Sequence, residues 1–254
     1  MARRIVIASA KGGVGKTTLS VSLALCLAKK GERVLLCDGD FGLNNADILL
    51  GVESAPCYDV VDVIEGRCRA KQAILAVPQS PCLFLLPSNR SQPERFVSAQ
   101  ALKLVLDALA PQFDYILIDS PSGLSDGFHR ACSVAEEGIV VCSPTLSAIR
   151  DGDKTVTALK NYRLKNVFLI VNQVRGDLLT LGEIPSPKQV SELLKVPLIG
   201  AIPLLSEQSL SAFTSHKAVL QTAKNLAFGE KKIYDASRKY RGFFGAVRRF
   251  LRGL

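Results

Sequence analysis

The chain has 254 residues, of which 48% are hydrophobic and 22% charged, and its formal net charge is +9. This apolar content excludes a disordered protein, and the length suits one folded domain with a sizeable buried core. Seven cysteines are present without a CxxC pair, which argues against a zinc or iron–sulfur centre. The excess of basic residues indicates nucleic acid or an anionic membrane surface as a partner.

Short β-branched runs alternate with helix-like stretches along most of the chain. Several runs are apolar throughout, which is typical of strands buried on both faces of a parallel sheet. The alternation predicts an α/β fold in which helices cover both faces of a mostly parallel sheet. The predicted strands are residues 4–8, 34–37, 83–86, 115–118, 138–142, 167–171 and 198–201. The predicted helices are residues 17–30, 58–65, 99–110, 148–161 and 187–194.

A glycine-rich segment, residues 9–18, lies between the first predicted strand and the first predicted helix. This is the context of a phosphate-binding P-loop, where backbone N–H groups and a helix N-terminus surround phosphate oxygens. We expect Lys16 to reach the β- and γ-phosphates and the Thr17 hydroxyl to bind Mg²⁺. The predicted nucleotide contacts in this loop are Lys11, Gly12, Gly13, Val14, Gly15, Lys16, Thr17 and Thr18.

One departure from the usual P-loop pattern is informative. Ala10 stands at the first glycine position, and Lys11 is a second lysine that an ordinary P-loop does not use. From the residues alone, Lys11 could be a solvated surface side chain. Residues 11–17, however, resemble the deviant Walker A motif of the MinD/ParA family of ATPases. The resemblance implies a P-loop NTPase fold, Mg-ATP hydrolysis and an ATP-dependent homodimer, in which Lys11 reaches the nucleotide bound by the partner subunit.

Two carboxylates spaced i, i+2 follow the second predicted strand, within a segment (37–47) that resembles switch I of the family. Both lie at a strand end beside the phosphate loop. There Asp40 can orient an attacking water or accept its proton, and Asp38 can lie in the coordination shell of magnesium. An isolated pair of this kind is more often a turn with solvated acids. Its position after the second strand of a P-loop fold favours the catalytic interpretation.

The strand predicted at residues 115–118 ends in Asp119, a pattern that reads as Walker B, with Asp119 holding Mg²⁺ through water. Ser120, Pro121 and Gly123 then resemble switch II, whose glycine presents its N–H to the γ-phosphate. Asn172, after the predicted strand 167–171, is at the place where the family reads adenine through one amide. Pro203 lies in a later loop that resembles the family's base-contacting loop.

The charge is concentrated at the C-terminus, where residues 231–254 hold eight basic residues and one acid, against a net charge of only +2 for the rest. On a helix, the apolar residues of 240–254 fall within an arc of about 120° opposite the arginines. This pattern is typical of an interfacial membrane helix, although a helix packed on the body is the alternative. The apolar face comprises Tyr240, Phe243, Phe244, Val247, Phe250, Leu251 and Leu254, and the basic face Arg241, Arg248, Arg249 and Arg252.

These patterns divide the chain into an ATPase domain (1–229), a basic linker (230–239) and a membrane-targeting helix (240–254). Segments 58–66, 83–88 and 147–153 further resemble the septum site-determining branch of the family. That branch implies an ATPase on the inner face of the cell membrane, a MinC-type division inhibitor and a MinE-type or other regulator. Alternatives are a flagellar-placement ATPase of this family, a DNA-partition ATPase of the ParA type and a non-hydrolysing scaffold. The near-neutral body argues against nucleic acid.

Overall fold

The computed structural model describes residues 2–41, 45–55, 57–88, 97–205, 209–242 and 245. Eight strands form one sheet: β1 (Arg3–Ala8), β2 (Val34–Asp38), β3 (Leu75–Val77), β4 (Ser80–Leu86), β5 (Tyr115–Asp119), β6 (Glu137–Cys142), β7 (Asn166–Val174) and β8 (Leu198–Pro203). Their order across the sheet is β3-β4-β2-β5-β1-β6-β7-β8. Neighbouring strands pair in parallel, except for the antiparallel hairpin of β3 and β4 at one edge.

Helices cover both faces of this sheet. They are α1 (Lys16–Ala28), α2 (Ala46–Leu50), α3 (Val60–Ile64), α4 (Ala99–Leu109), α5 (Asp126–Ser133), α6 (Leu146–Leu159), α7 (Gly176–Leu181), α8 (Pro187–Leu194), α9 (Leu210–Ser215) and α10 (Lys217–Phe228). One apolar core joins the sheet to α3, α4, α5, α6 and α8, and a second joins it to α1, α2 and α10. The predicted three-layer α/β fold is confirmed.

Each strand and helix predicted between residues 4 and 201 is present, with ends shifted by a few residues. Strand β3 and helices α2, α5, α7, α9 and α10 are not among the predictions. Most of them are short, and short elements have too few residues to display a helical or strand period. Among the residues that the structure describes, no helix is long and apolar enough to cross a bilayer.

The order of the central strands positions the functional residues. Strands β2, β5 and β1 are direct neighbours, so the residues at their carboxyl ends meet at one edge of the sheet. In this register Asp38 of β2 pairs with Asp119 of β5, and Ile7 of β1 pairs with the same Asp119. The glycine-rich loop after β1 therefore lies directly beside both carboxylates.

The stretch 230–239, predicted as a basic linker, is packed on the body. Ala236 and Ser237 are buried, and the Asn225 side chain of α10 donates a hydrogen bond to the Lys232 carbonyl at 2.8 Å. The backbone at Ala236 packs directly on Gly176, the first residue of α7. A Cβ on Gly176 would lie only 2.1 Å from the Ala236 carbonyl oxygen. The base of the C-terminal tail is thus attached to the sheet through α7 and α10.

The predicted helix over 240–254 does not begin at Tyr240. Tyr240 ends a short 3-10 turn, Arg241 is extended and Gly242 has a φ of +71°, so the backbone changes direction there. The Tyr240 side chain lies against Gly176. The remaining predicted tail residues lie outside the described residues: Phe243, Phe244, Val247, Arg248, Arg249, Phe250, Leu251, Arg252 and Leu254.

Gly176→Ala is expected to destabilise the protein even though alanine is the better helix former. Helix propensity favours alanine by about 1 kcal/mol, whereas the added Cβ must displace the Ala236 backbone, an overpacking that costs about 1–3 kcal/mol. Urea unfolding should show a lower free energy of unfolding, and limited proteolysis should cut within 230–242 faster. Leu181→Ala, at an exposed position of the same helix, is the control. If proteolysis cuts within 230–242 at the same rate in both variants, the packing of this segment on Gly176 is contradicted.

Candidate nucleotide site

The loop between β1 and α1 has the backbone of a phosphate-binding turn. Gly13 and Gly15 have φ values of +76° and +81°, a left-handed conformation in which a side chain is strained. Gly15 also caps the N-terminus of α1, which begins at Lys16. A Cβ on Gly15 would lie 2.6 Å from the Asn172 amide nitrogen, so glycine is required there for two independent reasons.

Two adjoining cavities open beside this loop and share Gly15 and Thr18. The first, of about 440 Å³, is lined by Lys11, Gly13, Val14, Gly15, Lys16, Thr17, Thr18, Asp40, Asn45, Ile48, Leu49 and Ser122. The second, of about 270 Å³, is lined by Gly15, Thr18, Asn172, Gln173, Pro203, Leu204, Leu205 and Phe213. The first has the groups that bind a triphosphate, and the second has the apolar side chains and amides that fit a base. Gly12 is exposed and lies outside both linings.

Lys16 is buried against the Walker B carboxylate. Its Nζ lies 3.4 Å from Asp119 Oδ1, and the Ser20 hydroxyl lies 2.8 Å from the same oxygen. The other oxygen, Asp119 Oδ2, is buried without a hydrogen-bond partner. The lysine is therefore held at the mouth of the loop by a carboxylate, with one carboxylate oxygen left to accept a further donor or cation.

Asp38 lies beside Asp119 and is nearly as buried. Burial, together with the neighbouring charge of Asp119, raises the pKa of Asp38 to about 7, although hydrogen bonds from the backbone of Asp40 and Ala46 act in the opposite direction. A divalent cation bound here would lower this pKa again, since it favours the ionised form.

The Asp40 backbone is fixed on two sides, while its side chain lines the phosphate cavity. Its N–H donates to Asp38 Oδ1 at 3.0 Å, and its carbonyl accepts from the buried Ser88 hydroxyl at 3.3 Å. The preceding Gly39 donates its N–H to the Asp119 carbonyl at 2.9 Å. The fold thus brings together Asp38, Asp40 and Asp119, as the sequence predicts. Residues 42–44 of the predicted switch I segment lie outside the described residues.

The predicted switch II residues have structural contacts in this conformation. Ser120 is buried and its hydroxyl donates to the Ile7 carbonyl at 3.0 Å. Gly123, whose N–H is predicted to reach a γ-phosphate, instead donates it to the Ser9 carbonyl at 3.2 Å. Pro121 is buried between them. Any contact between Gly123 and a phosphate therefore requires the turn to exchange this bond.

Two consecutive amides of β7 hold the glycine-rich loop. Asn172 Nδ2 donates to the Val14 carbonyl at 2.8 Å, and Gln173 Nε2 donates to the Gly13 carbonyl at 3.0 Å. Adjacent strand residues normally face opposite sides, but Gln173 has a φ of +58°, which interrupts the alternation. The predicted strand end at residue 171 is wrong, because β7 continues past this irregularity to Val174. Asn172 Oδ1 is buried without a partner.

Comparisons with known proteins agree with this geometry. Residues 2–167 match the family model described as an AAA domain. The septum site-determining protein MinD of Helicobacter pylori is 36% identical, over 98% of both chains. The solved MinC:MinD cell division protein complex of Aquifex aeolicus is 34% identical, with a TM-score of 0.80 over 90% of this chain and 96% of that one. MinD of Pyrococcus horikoshii complexed with Mg-ADP is 28% identical, with a TM-score of 0.78 over 90% and 97%.

The chain belongs to the MinD family. It is an ATPase with the α/β fold of that family. The Mg-ADP complex of the Pyrococcus relative supports the use of a nucleotide and magnesium by MinD-family proteins.

The residues around the loop fit a magnesium ion that is shared with a nucleotide. Within the described ranges, no group of three or more His, Cys, Asp or Glu side chains could hold a metal by itself. Mg²⁺ is commonly bound by one or two carboxylates together with phosphate oxygens and water. The unpartnered Asp119 Oδ2, the buried Asp38 and the Thr17 hydroxyl in the cavity wall supply such a partial set.

Several residues that organise this MinD-family site are not among those predicted from the sequence. Ser20 follows Lys16 by four residues on α1, so the helical period could have placed both on the face toward Asp119. No comparable sequence signal marks Gln173 or Ser88, because their contacts depend on the bend in β7 and on the path of the chain after β4.

Asn172→Ala is expected to weaken ATP binding by about tenfold or more, because a buried acceptor that fits the exocyclic amine of adenine is lost. Gln173→Ala is the matched control, since it removes an equivalent contact to the loop but no buried unpartnered acceptor. Titration of each variant with fluorescent ATP and GTP analogues measures its affinity for the two nucleotides. An equal loss in the two variants would mean that Asn172 acts only on the loop.

Proposed function

We propose that this chain is a Mg-ATP-dependent ATPase that dimerises when it binds ATP, docks on the membrane and positions the division septum. The observation that carries the proposal is the pair of joined cavities, in which Lys11, Lys16 and Asp40 line the phosphate end and Asn172 and Pro203 the base end. A P-loop that is open on one side in this way suits a site completed by a second copy.

Dimerisation is supported by the surroundings of Lys11. Its Nζ lies 2.9 Å from the Ser147 hydroxyl at the start of α6, a contact in an exposed position. The adjacent Leu146 is 84% exposed, and Ile48 on the cavity rim is 61% exposed. A neutral hydroxyl is a weak partner for an ammonium group, so the phosphates of a nucleotide bound to the second subunit would compete well for Lys11.

Hydrolysis would then follow the usual division of roles in phosphoryl transfer. Lys16 binds and orients the phosphates. Thr17, Asp38 and Asp119 would hold Mg²⁺, and the ion would supply positive charge to neutralise the transferred group. Asp40 orients the attacking water and accepts its proton. Gly123 contacts the γ-phosphate after leaving the Ser9 carbonyl, so ATP and ADP favour different positions of this turn.

Membrane docking is supported by the charge of the tail and by its attachment. Seven of the nine net positive charges lie in residues 231–254. Because segment 230–242 is packed on α7 and α10, both tails of a dimer would start from fixed points. Each basic residue near an anionic leaflet contributes about 1 kcal/mol. Two such tails bind together much more strongly than one, through their effective concentration.

The proposed partner is a division inhibitor of the MinC type. The support is the relative from Aquifex aeolicus, whose solved structure is a MinC:MinD complex. A MinE-type or other regulator that stimulates hydrolysis is proposed on the resemblance alone. Residues 147–153, at the start of α6 beside Lys11, are the segment that resembles the family's docking region for such regulators.

Deletion of residues 243–254 is expected to abolish ATP-dependent binding to anionic vesicles while leaving basal ATP turnover unchanged. The deletion starts after Gly242 so that Tyr240 keeps its contact with Gly176. Co-sedimentation with phosphatidylglycerol vesicles, in ATP and in ADP, measures the effect, and Phe250→Glu in the full chain tests the apolar face alone. Adding a MinC-type protein then tests recruitment. Retained vesicle binding by the deleted chain would refute the membrane role of the tail.

A further inference from the structure

A buried arginine on α5 stacks on the residue next to Asp40. The Arg130 guanidinium carbon lies 4.3 Å from the centre of the Phe41 ring. Arg130 is 6% exposed and Phe41 is 7% exposed, so the contact is shielded from water. Cation–π interactions are stronger when both partners are desolvated. Neither residue carries a role in the proposed chemistry.

Arg130 also joins parts of the chain that are distant in sequence. Its Nη1 donates to the carbonyl of Val97 at 3.0 Å, just before α4. Arg130 itself lies on α5, the helix that follows the Ser120–Gly123 turn. Phe41 directly follows Asp40, whose backbone is held by Asp38 and Ser88 on its other side. The stack therefore connects the helix after one predicted switch to the residue after the proposed water-orienting carboxylate.

We infer that Arg130 is a positioning residue for ATP hydrolysis, which acts through Phe41 to hold Asp40 in place. This inference rests on the proposed role of Asp40. The backbone of Asp40 is held by Asp38 and Ser88, and the stacked Phe41 ring constrains the chain that leaves Asp40. When the Gly123 turn exchanges its bond to Ser9 for a phosphate, α5 can carry Arg130 with it, so the two switches move together.

The position of Asp40 matters for turnover more than for binding. A displaced carboxylate aligns water poorly even when the phosphates are bound as before by Lys16 and the loop. Loss of the stack should therefore lower kcat and leave the KM for ATP nearly unchanged. A residue that only stabilised the fold would instead lower the melting temperature without this split.

The test uses the full chain and replaces the ring first, because removal of a buried cation can prevent folding. Phe41→Leu keeps an apolar side chain but lacks the π face, and it should lower kcat about tenfold with an unchanged KM. Phe41→Tyr keeps the π face and should restore most of the activity. Phe113→Leu is the matched control, since it changes another buried phenylalanine of the same core. Phe113 lies beside Arg33 just before β5, at the other end of the strands from the nucleotide site.

A double variant isolates the contact itself. If the stack carries the effect, Arg130→Met combined with Phe41→Leu should be no slower than the slower of the two single variants, because both remove the same interaction. Affinity for a fluorescent ADP analogue and the melting temperature are measured alongside kcat and KM. If Arg130→Met does not fold, the three phenylalanine variants still decide the question.

Two outcomes would overturn the inference. One is a wild-type kcat in Phe41→Leu, and the other is an equal loss of kcat in Phe41→Leu and Phe113→Leu. Failure of the underlying proposal looks different, because Asp40→Ala would then retain full turnover whatever the state of the stack. If Asp40→Ala loses turnover while Phe41→Leu keeps the wild-type kcat, only the positioning role of Arg130 is rejected.

Discussion

Asp40→Ala is expected to lower the kcat for ATP hydrolysis by a factor of about 10²–10⁴, the range for loss of a general base. ATP binding and ATP-dependent dimers should persist. The reason is that Asp40 is anchored by its own N–H and carbonyl, which bond to Asp38 and Ser88 and which alanine retains. Only the carboxylate that lines the phosphate cavity is lost.

Single-turnover hydrolysis of radiolabelled ATP and light scattering of the ATP-bound protein would measure the two effects separately. The Asp40→Asn variant should behave similarly, since an amide accepts a hydrogen bond from water but does not take its proton. Asp126→Ala is the matched control, because this exposed carboxylate at the start of α5 does not line the cavity. Normal turnover in Asp40→Ala would reject the catalytic role.

Lys16→Ala is expected to abolish nucleotide-dependent dimerisation by removing the cation that orients the phosphates. It should also destabilise the protein without nucleotide. Lys16 and Asp119 are both buried, with their charged atoms 3.4 Å apart, and removing one partner of a buried pair costs about 3–5 kcal/mol. Ser20 remains as a hydrogen-bond donor to Asp119 and reduces this cost.

The two effects of this variant can be separated. Lys16→Met combined with Asp119→Asn removes both charges of the buried pair, so it should recover most of the lost stability but no ATP binding. Thermal unfolding measures the first property, and equilibrium binding of a fluorescent ATP analogue measures the second. Nucleotide-dependent dimers formed by Lys16→Ala would contradict the assignment of the phosphate site.

Much of the fold was predictable because its signals are local. Buried strands such as β5 and β6 are continuous apolar runs, and α1 follows its glycine-rich loop without interruption. Short elements without a full period, such as β3 and α9, escaped prediction. So did α10, a longer helix whose ends are marked by His216 at its N-cap and Gly229 at its C-cap.

The acidic residues of the site were predictable for a related reason. In a parallel sheet, residues at the carboxyl ends of neighbouring strands converge, so Asp38 and Asp119 could be placed together once their strands were recognised. The details of Asn172 were not predictable. They depend on a left-handed residue, Gln173, which is not a glycine and has no sequence signature. The hydrogen bond from Gly123 to the Ser9 carbonyl was not predictable either, because it depends on which acceptor the fold brings close.

The distribution of charge is a property of the sequence alone, because it requires only counting along the chain. The P-loop pattern, the order of the carboxylates and the basic tail can likewise be read without a structure. Three contacts are visible only in the folded molecule: the attachment of residues 230–242 at Gly176, the pairing of Lys16 with Asp119, and the stacking of Arg130 on Phe41. These contacts join residues far apart in the chain, and their geometry follows from the packing of whole helices on the sheet, which no local pattern specifies.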